Sequence, residues 1–83
     1  MPLTKKEKEY IKKIGKRIVE LREKQNLKQI DLAIKINIED SALRRLESGR
    51  TNPTIKSLLR VAEGLNVDFS ELFNFPKKVE NNT

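Results

Sequence analysis

Over most of this chain apolar residues recur at steps of three and four, the period of a helix, and the chain reads as helices without strands. From Thr4 to about Gln25 the recurring set is Ile11, Ile14, Ile18 and Leu21, with Tyr10 beside them. Thr4-x-x-Glu7 reads as a capping box, and Asn26 suits the left-handed backbone that ends a helix. Gly15 inside this helix costs about 1 kcal/mol against Ala, which close packing can offset. A short helix from Gln29 to about Ile36 follows, burying Leu32, Ala33 and Ile36. Asn37-Ile38 leaves room for only a tight turn before a third helix, Asp40 to Ser48, with Ala42, Leu43 and Leu46 apolar and Gly49 as its stop. Arg50 to Pro53 is a loop by composition. A fourth helix starts at Pro53 or Thr54, carries Ile55, Leu58, Leu59, Val61 and Ala62, and is expected to end at Gly64. A fifth is expected from Asp68, with Asp68-x-x-Glu71 as a capping box, carrying Phe69, Leu72 and Phe73 up to Pro76.

The elements amount to one all-α domain, residues 1–75, followed by a flexible polar tail, residues 76–83. At 83 residues the core is modest. Neither Cys nor His is present, which removes disulfides, most zinc sites, and thiol or imidazole catalysis. No nucleophile–base pair or phosphate loop is recognisable, so the chain does not read as an enzyme. No cofactor, metal or small-molecule ligand is expected. No apolar run approaches a membrane span or a signal peptide, and the expectation is a soluble cytoplasmic protein without a membrane partner.

The net charge of +6 favours polyanionic partners. Most of it sits in residues 1–27, where nine Lys and Arg face four Glu. A solvated lysine face explains that distribution equally well, so charge alone does not select a function. A basic membrane-surface helix is disfavoured, because the apolar face of the first helix is committed to the core.

The second and third helices carry more information. The run Gln29-x-x-Leu32-Ala33-x-x-Ile36-Asn37-Ile38, then Leu43-x-x-Leu46-Glu47-x-Gly49, makes two short helices joined by a brief turn. Its apolar spacing fixes one face of the third helix to its neighbours and leaves the other free. A short exposed helix fits the major groove of DNA, where each base pair shows a distinct donor and acceptor pattern.

With Ile14-Gly15-x-Arg17-Ile18-x-x-Leu21-Arg22, Asn52-Pro53-Thr54-Ile55-x-x-Leu58-Leu59-x-Val61-Ala62 and Leu65-Asn66-Val67-Asp68-x-x-Glu71-Leu72-Phe73, the chain resembles the phage repressor and Cro family of helix-turn-helix regulators, from Ile11 to Phe75. Thr54 to Leu58 is also similar to restriction-modification controller proteins of that family. The resemblance implies a compact five-helix, lambda-repressor-like domain with an extended first helix, binding double-stranded DNA as a homodimer. By resemblance, Gln29 holds a phosphate and braces the recognition helix. Asp40, Ser41, Arg44 and Arg45 occupy its base-reading positions. Arg45 is the best direct reader, since its fork matches guanine O6 and N7. Arg44 serves equally as a phosphate contact or a solvated cation. Lys28, Ser48, Arg50, Thr51 and Asn52, with nearby backbone amides, would hold phosphates. Arg22 and Glu47 match an ion pair joining the first helix to the end of the third. One short helix reads few bases, so a two-fold dimer is expected, with Phe69, Phe73 and Phe75 as its interface.

Two departures from the family pattern stand out, one at the start of the third helix and one at the start of the second. Glu39 and Asp40 stand where Ser or Thr and then a longer polar residue are usual; they suit a helix start as cap and dipole partner, yet repel phosphate. Lys28 replaces the usual Ser or Thr cap. With Ile30 and Ile34, which share a face at usually charged positions, Glu39 and Asp40 support an alternative: an antitoxin-like interaction module that keeps the fold with weak or no DNA binding.

Overall fold

The computed structural model describes residues 2–76, and among them every regular element is helical. Helix α1 spans Lys5–Lys24, α2 Gln29–Lys35, α3 Asp40–Glu47 and α4 Ile55–Leu65, and a 3₁₀ helix covers Phe69–Phe73. The part of the expected tail that follows Pro76 lies outside the described residues.

Local chemistry sets the boundaries. At α1 the Thr4 hydroxyl accepts from the Glu7 amide at 3.0 Å, and the Glu7 carboxylate accepts from the Thr4 amide at 2.9 Å. Thr54 and Ser57 repeat that reciprocal arrangement at α4. At α2 only half of it exists: the Asp31 carboxylate accepts from the Lys28 amide at 3.0 Å, and the Lys28 side chain, which has no acceptor, leaves the first amides of the helix without a side-chain cap. Glu39 precedes α3 without a side-chain cap bond, so its contribution there is to the helix dipole alone. Asn26, Asn37 and Asn66 adopt positive φ (58°, 57° and 57°) at the three turns after α1, α2 and α4, and Gly49 does so after α3 at 75°.

Two sequence expectations need correcting. Helix α4 does not stop at Gly64. It runs through Leu65, and Asn66 supplies the left-handed stop. Gly64 is there for packing, since a Cβ on it would lie 2.3 Å from the Ile36 Cγ2. The fifth element is a 3₁₀ helix without the expected capping box. Asp68 accepts from the Ser70 amide and hydroxyl, which hold its carboxyl below the ordinary carboxylate value, and Glu71 is drawn away to Arg17.

The core is one cluster drawn from every element: Ile18 and Leu21 of α1, Leu32 and Ala33 of α2 with Ile36, Leu43 and Leu46 of α3, Leu58, Val61, Ala62 and Leu65 of α4, and Leu72. Ile14, Leu27, Ile38, Val67 and Phe69 close its rim. Gln25 donates to the Leu65 carbonyl at 2.6 Å, tying the end of α1 to the end of α4. Tyr10 faces solvent rather than the core and meets the Phe75 ring at 6.1 Å, with the Lys13 ammonium 4.8 Å from the Tyr10 centroid.

Candidate functional site

The packing of α3 determines what it can present. Leu43, Leu46 and Glu47 turn inward and are buried, while Asp40, Arg44, Arg45 and Ser48 on the far side are exposed and Ser41 is half-buried. Eight residues at 1.5 Å each give a rod of about 12 Å, close to the width of a DNA major groove. Among the described residues no other element covers the outer face.

The end of α3 is rigidly held. Glu47 is buried, yet its carboxylate accepts from Arg22 Nε at 2.8 Å, Arg22 Nη2 at 3.1 Å and Gln29 Nε2 at 2.8 Å. The remaining Arg22 nitrogen donates to the Leu27 carbonyl at 2.8 Å. One carboxylate thus joins α1, the start of α2 and the end of α3, and the bidentate fork fixes orientation as well as distance. Gln29 keeps a second amide hydrogen, because its –NH₂ carries two donors. The backbones meet closely beside this network: a Cβ on Gly15 would lie 2.4 Å from the Glu47 carbonyl oxygen and 2.7 Å from that of Leu46.

The loop after α3 continues the same surface. The Ser48 hydroxyl donates to the Arg45 carbonyl at 3.2 Å and accepts from Arg50 Nε at 3.1 Å. Arg45 shares a shallow cleft of about 230 Å³ with Thr51, Asn52 and Pro53. Lys28, Arg50, Thr51 and Asn52 are all exposed. Arg45, Ser48, Arg50, Thr51 and Asn52 are therefore neighbours, and Gln29 is joined to the end of the same helix through Glu47. Lys28, Arg44, Arg45 and Arg50 outnumber the carboxylates there, Glu39 and Asp40.

The three phenylalanines do not share one environment. Phe69 is half-buried against the core and meets Phe73 edge-on at 5.2 Å, while Phe75 is half-buried against Tyr10. Of the three, only Phe73 is exposed, at 40%. The exposed apolar residues Ile55 (62%) and Leu59 (46%) lie one turn apart on α4, a pair whose spacing gives no sign of a surface role. Ile30 and Ile34 are exposed on α2, as their spacing suggested.

Arg17, which in the sequence stands only as part of the family pattern, is the second buried charge beside Glu47 among the described residues. Its residue is 7% exposed; its Nε donates to the Glu71 carbonyl at 2.8 Å and its Nη2 to the Glu71 carboxylate at 2.9 Å, and Nη1 pairs with Glu20. The signal available was its place on the flank of the Ile14, Ile18 and Leu21 face, where a cation needs a partner. Among the described residues, no helix is long and apolar enough to cross a membrane, and no group of His, Cys, Asp and Glu is arranged to hold a metal ion.

Comparison with known proteins agrees with this geometry. The profile of the family described as Helix-turn-helix matches residues 18–72, more than half of the chain. No curated protein matches. Among solved structures, the restriction-modification controller protein C.AhdI from Aeromonas hydrophila is similar at 32% identity and a TM-score of 0.74, over 76% of this chain and 96% of that one. The controller protein C.Esp1396I, solved as a tetramer in complex with its natural 35 base-pair operator, is similar at 31% identity and a TM-score of 0.72, over 77% of this chain and 84% of that one. An HTH_3 family transcriptional regulator from Vibrio cholerae is similar at 27% identity and a TM-score of 0.77, over 81% of this chain but only 38% of its own length.

Proposed function

The chain belongs to the helix-turn-helix family of DNA-binding transcription regulators, which are not enzymes, and from that premise we propose that it represses transcription by binding a palindromic operator in double-stranded DNA as a homodimer, with α3 in the major groove. The observation that carries this reading is the uncovered outer face of α3, held by the Arg22–Glu47–Gln29 network at its base. C.Esp1396I, of the same family and similar along most of its length, is a tetramer on operator DNA.

In this reading Arg45 holds guanine O6 and N7, worth about 1–3 kcal/mol against the wrong base. Ser41 and Arg44 contact neighbouring base edges or phosphates. Asp40, the carboxylate in the first turn of α3, accepts from cytosine N4, the readout that turns its charge from a cost into a preference. Gln29 uses its second amide hydrogen on a phosphate, and Lys28, Ser48, Arg50, Thr51 and Asn52 continue that backbone track. A two-fold dimer sets the two copies of α3 about 34–36 Å apart. Phe69 and Phe73, which meet edge-on, form the proposed dimer surface together with the exposed Ile55 and Leu59 of α4.

The test is selection of bound duplexes from a random pool by the intact chain, with Asp40→Ala and Arg45→Ala in parallel. The expected result is a palindromic consensus that loses a cytosine preference in the first variant and a guanine preference in the second. Enrichment of no duplex by the parent chain, or a consensus untouched by both variants, refutes α3 as the reader and favours an interaction module.

A further inference from the structure

The first turns of α1 have no role in the reading above. The helix begins at Lys5, whereas the family profile begins at residue 18. These turns carry much of the chain's excess positive charge. At 3.6 residues per turn, Lys5, Lys8 and Lys12 fall within about 60° of one another, a row about 10 Å long. All three are exposed, and among the described residues none pairs with a carboxylate. Lys13, by contrast, is committed to Glu9 at 3.7 Å and to the Tyr10 ring.

The row begins at the loop that follows α3. A Cβ on Gly49 would lie 2.7 Å from the Lys12 Cγ and 3.0 Å from the Lys12 Cα, so the Lys12 stem crosses the backbone between Ser48 and Arg50. One turn further along α1, Gly15 touches the last carbonyls of α3. We propose that Lys5, Lys8 and Lys12 form a second phosphate track, continuous across Gly49 with the Ser48–Asn52 loop, which grips the duplex backbone flanking the half-site read by α3.

Three features select duplex DNA as the occupant. The three lysines fall in a line along the helix, which suits a polymer of evenly spaced charges better than a compact anion. The row lies within about a Debye length of the loop, so one polyanion feels both. An anionic bilayer is gripped best by a basic helix that also inserts an apolar face; in α1 Ile11, Ile18 and Leu21 are buried and the Tyr10 ring is engaged by Phe75 and Lys13.

This inference rests on the DNA-binding reading, and the test separates the two. The probes are the duplex selected by the parent chain, with and without one helical turn of flanking sequence, and vesicles of phosphatidylserine and phosphatidylcholine. The variant is Lys5→Gln/Lys8→Gln/Lys12→Gln, which retains good helix formers; circular dichroism checks that helix content is unchanged. Each phosphate engaged steepens the slope of log K against log salt by about 0.9, or about a 3.5-fold loss of affinity per fourfold rise in salt. The triple variant is expected to flatten that slope by two to three such contacts on the flanked duplex, to change little on the trimmed one, and to keep the same consensus. An unchanged slope on the flanked duplex, an altered consensus, or lysine-dependent binding to vesicles alone overturns the track and leaves α3 as reader. Failure of the parent chain to bind any duplex overturns both.

Discussion

Removing the Glu47 side chain tests how the recognition helix is held. In Glu47→Ala, the Arg22 guanidinium keeps only the Leu27 carbonyl, at 2.8 Å, and Gln29 loses its acceptor. The Arg22 side chain is 11% exposed and that of Glu47 5%, so water reaches the orphaned cation poorly. Breaking a buried pair by deleting one partner costs about 3–5 kcal/mol. The slight exposure of Arg22 places this site at the lower end, about 3 kcal/mol. At about 0.05–0.15 kcal/mol per residue, a domain of this size has about 4–12 kcal/mol in total, so the loss is a large fraction. Urea unfolding followed by far-ultraviolet circular dichroism should show a lower midpoint at unchanged slope, and the melting temperature should fall by about 12–24 °C. The companion variant Arg22→Met/Glu47→Leu removes both charges and should recover much of the loss, because no ion is left unpaired. A cost below about 1 kcal/mol for Glu47→Ala would put the pair in the class of surface ion pairs. A double variant as unstable as the sum of its parts would refute the argument from an unpaired buried charge.

Two further substitutions probe the packing around that network. Gly15→Ala gains about 1 kcal/mol of helix propensity, yet its methyl group would meet two backbone oxygens of α3, at 2.4 and 2.7 Å, which cannot rotate away. Overpacking should prevail, with net destabilisation of about 1–2 kcal/mol in the same urea assay; a gain in stability would mean that α1 and α3 cross less tightly than described. Arg17→Met keeps the aliphatic stem but drops the bonds to Glu71 and Glu20, whose side chains are 45% and 38% exposed and can rehydrate. The expected cost is about 1–2 kcal/mol, with hydrogen-exchange protection falling first around Leu72 and not in α3; uniform loss across all helices would contradict a local anchoring role.

Much of this architecture is written in short-range spacing. The apolar steps of three and four in Ile11, Ile14, Ile18 and Leu21 fix α1 and its inward face. Thr4 with Glu7 fixes its start, and Asn26, Asn37 and Gly49 mark turns at which the chain takes positive φ. The Leu32–Ala33–Ile36 and Leu43–Leu46 spacing also dictates which side of α3 faces outward, and so where Arg44 and Arg45 point. Each is a relation between residues at most one or two turns apart, which the local backbone enforces unaided.

What the tertiary structure decided involves residues far apart in the chain. Arg17 and Glu71 are 54 positions apart, and their bond takes Glu71 out of the capping box that its spacing from Asp68 suggested. Gly64 has the composition of a helix stop, but Ile36 lies where its Cβ would be, and the three phenylalanines divide between two environments, Phe75 against Tyr10 and Phe69 against Phe73. Lys12 is one more lysine in the sequence; only the crossing of α1 over the end of α3 sets it against Gly49. Periodicity specifies which face of a helix is buried, whereas excluded volume and charge pairing between helices select the neighbour that buries it, and those depend on distances that exist only once the chain has closed on itself.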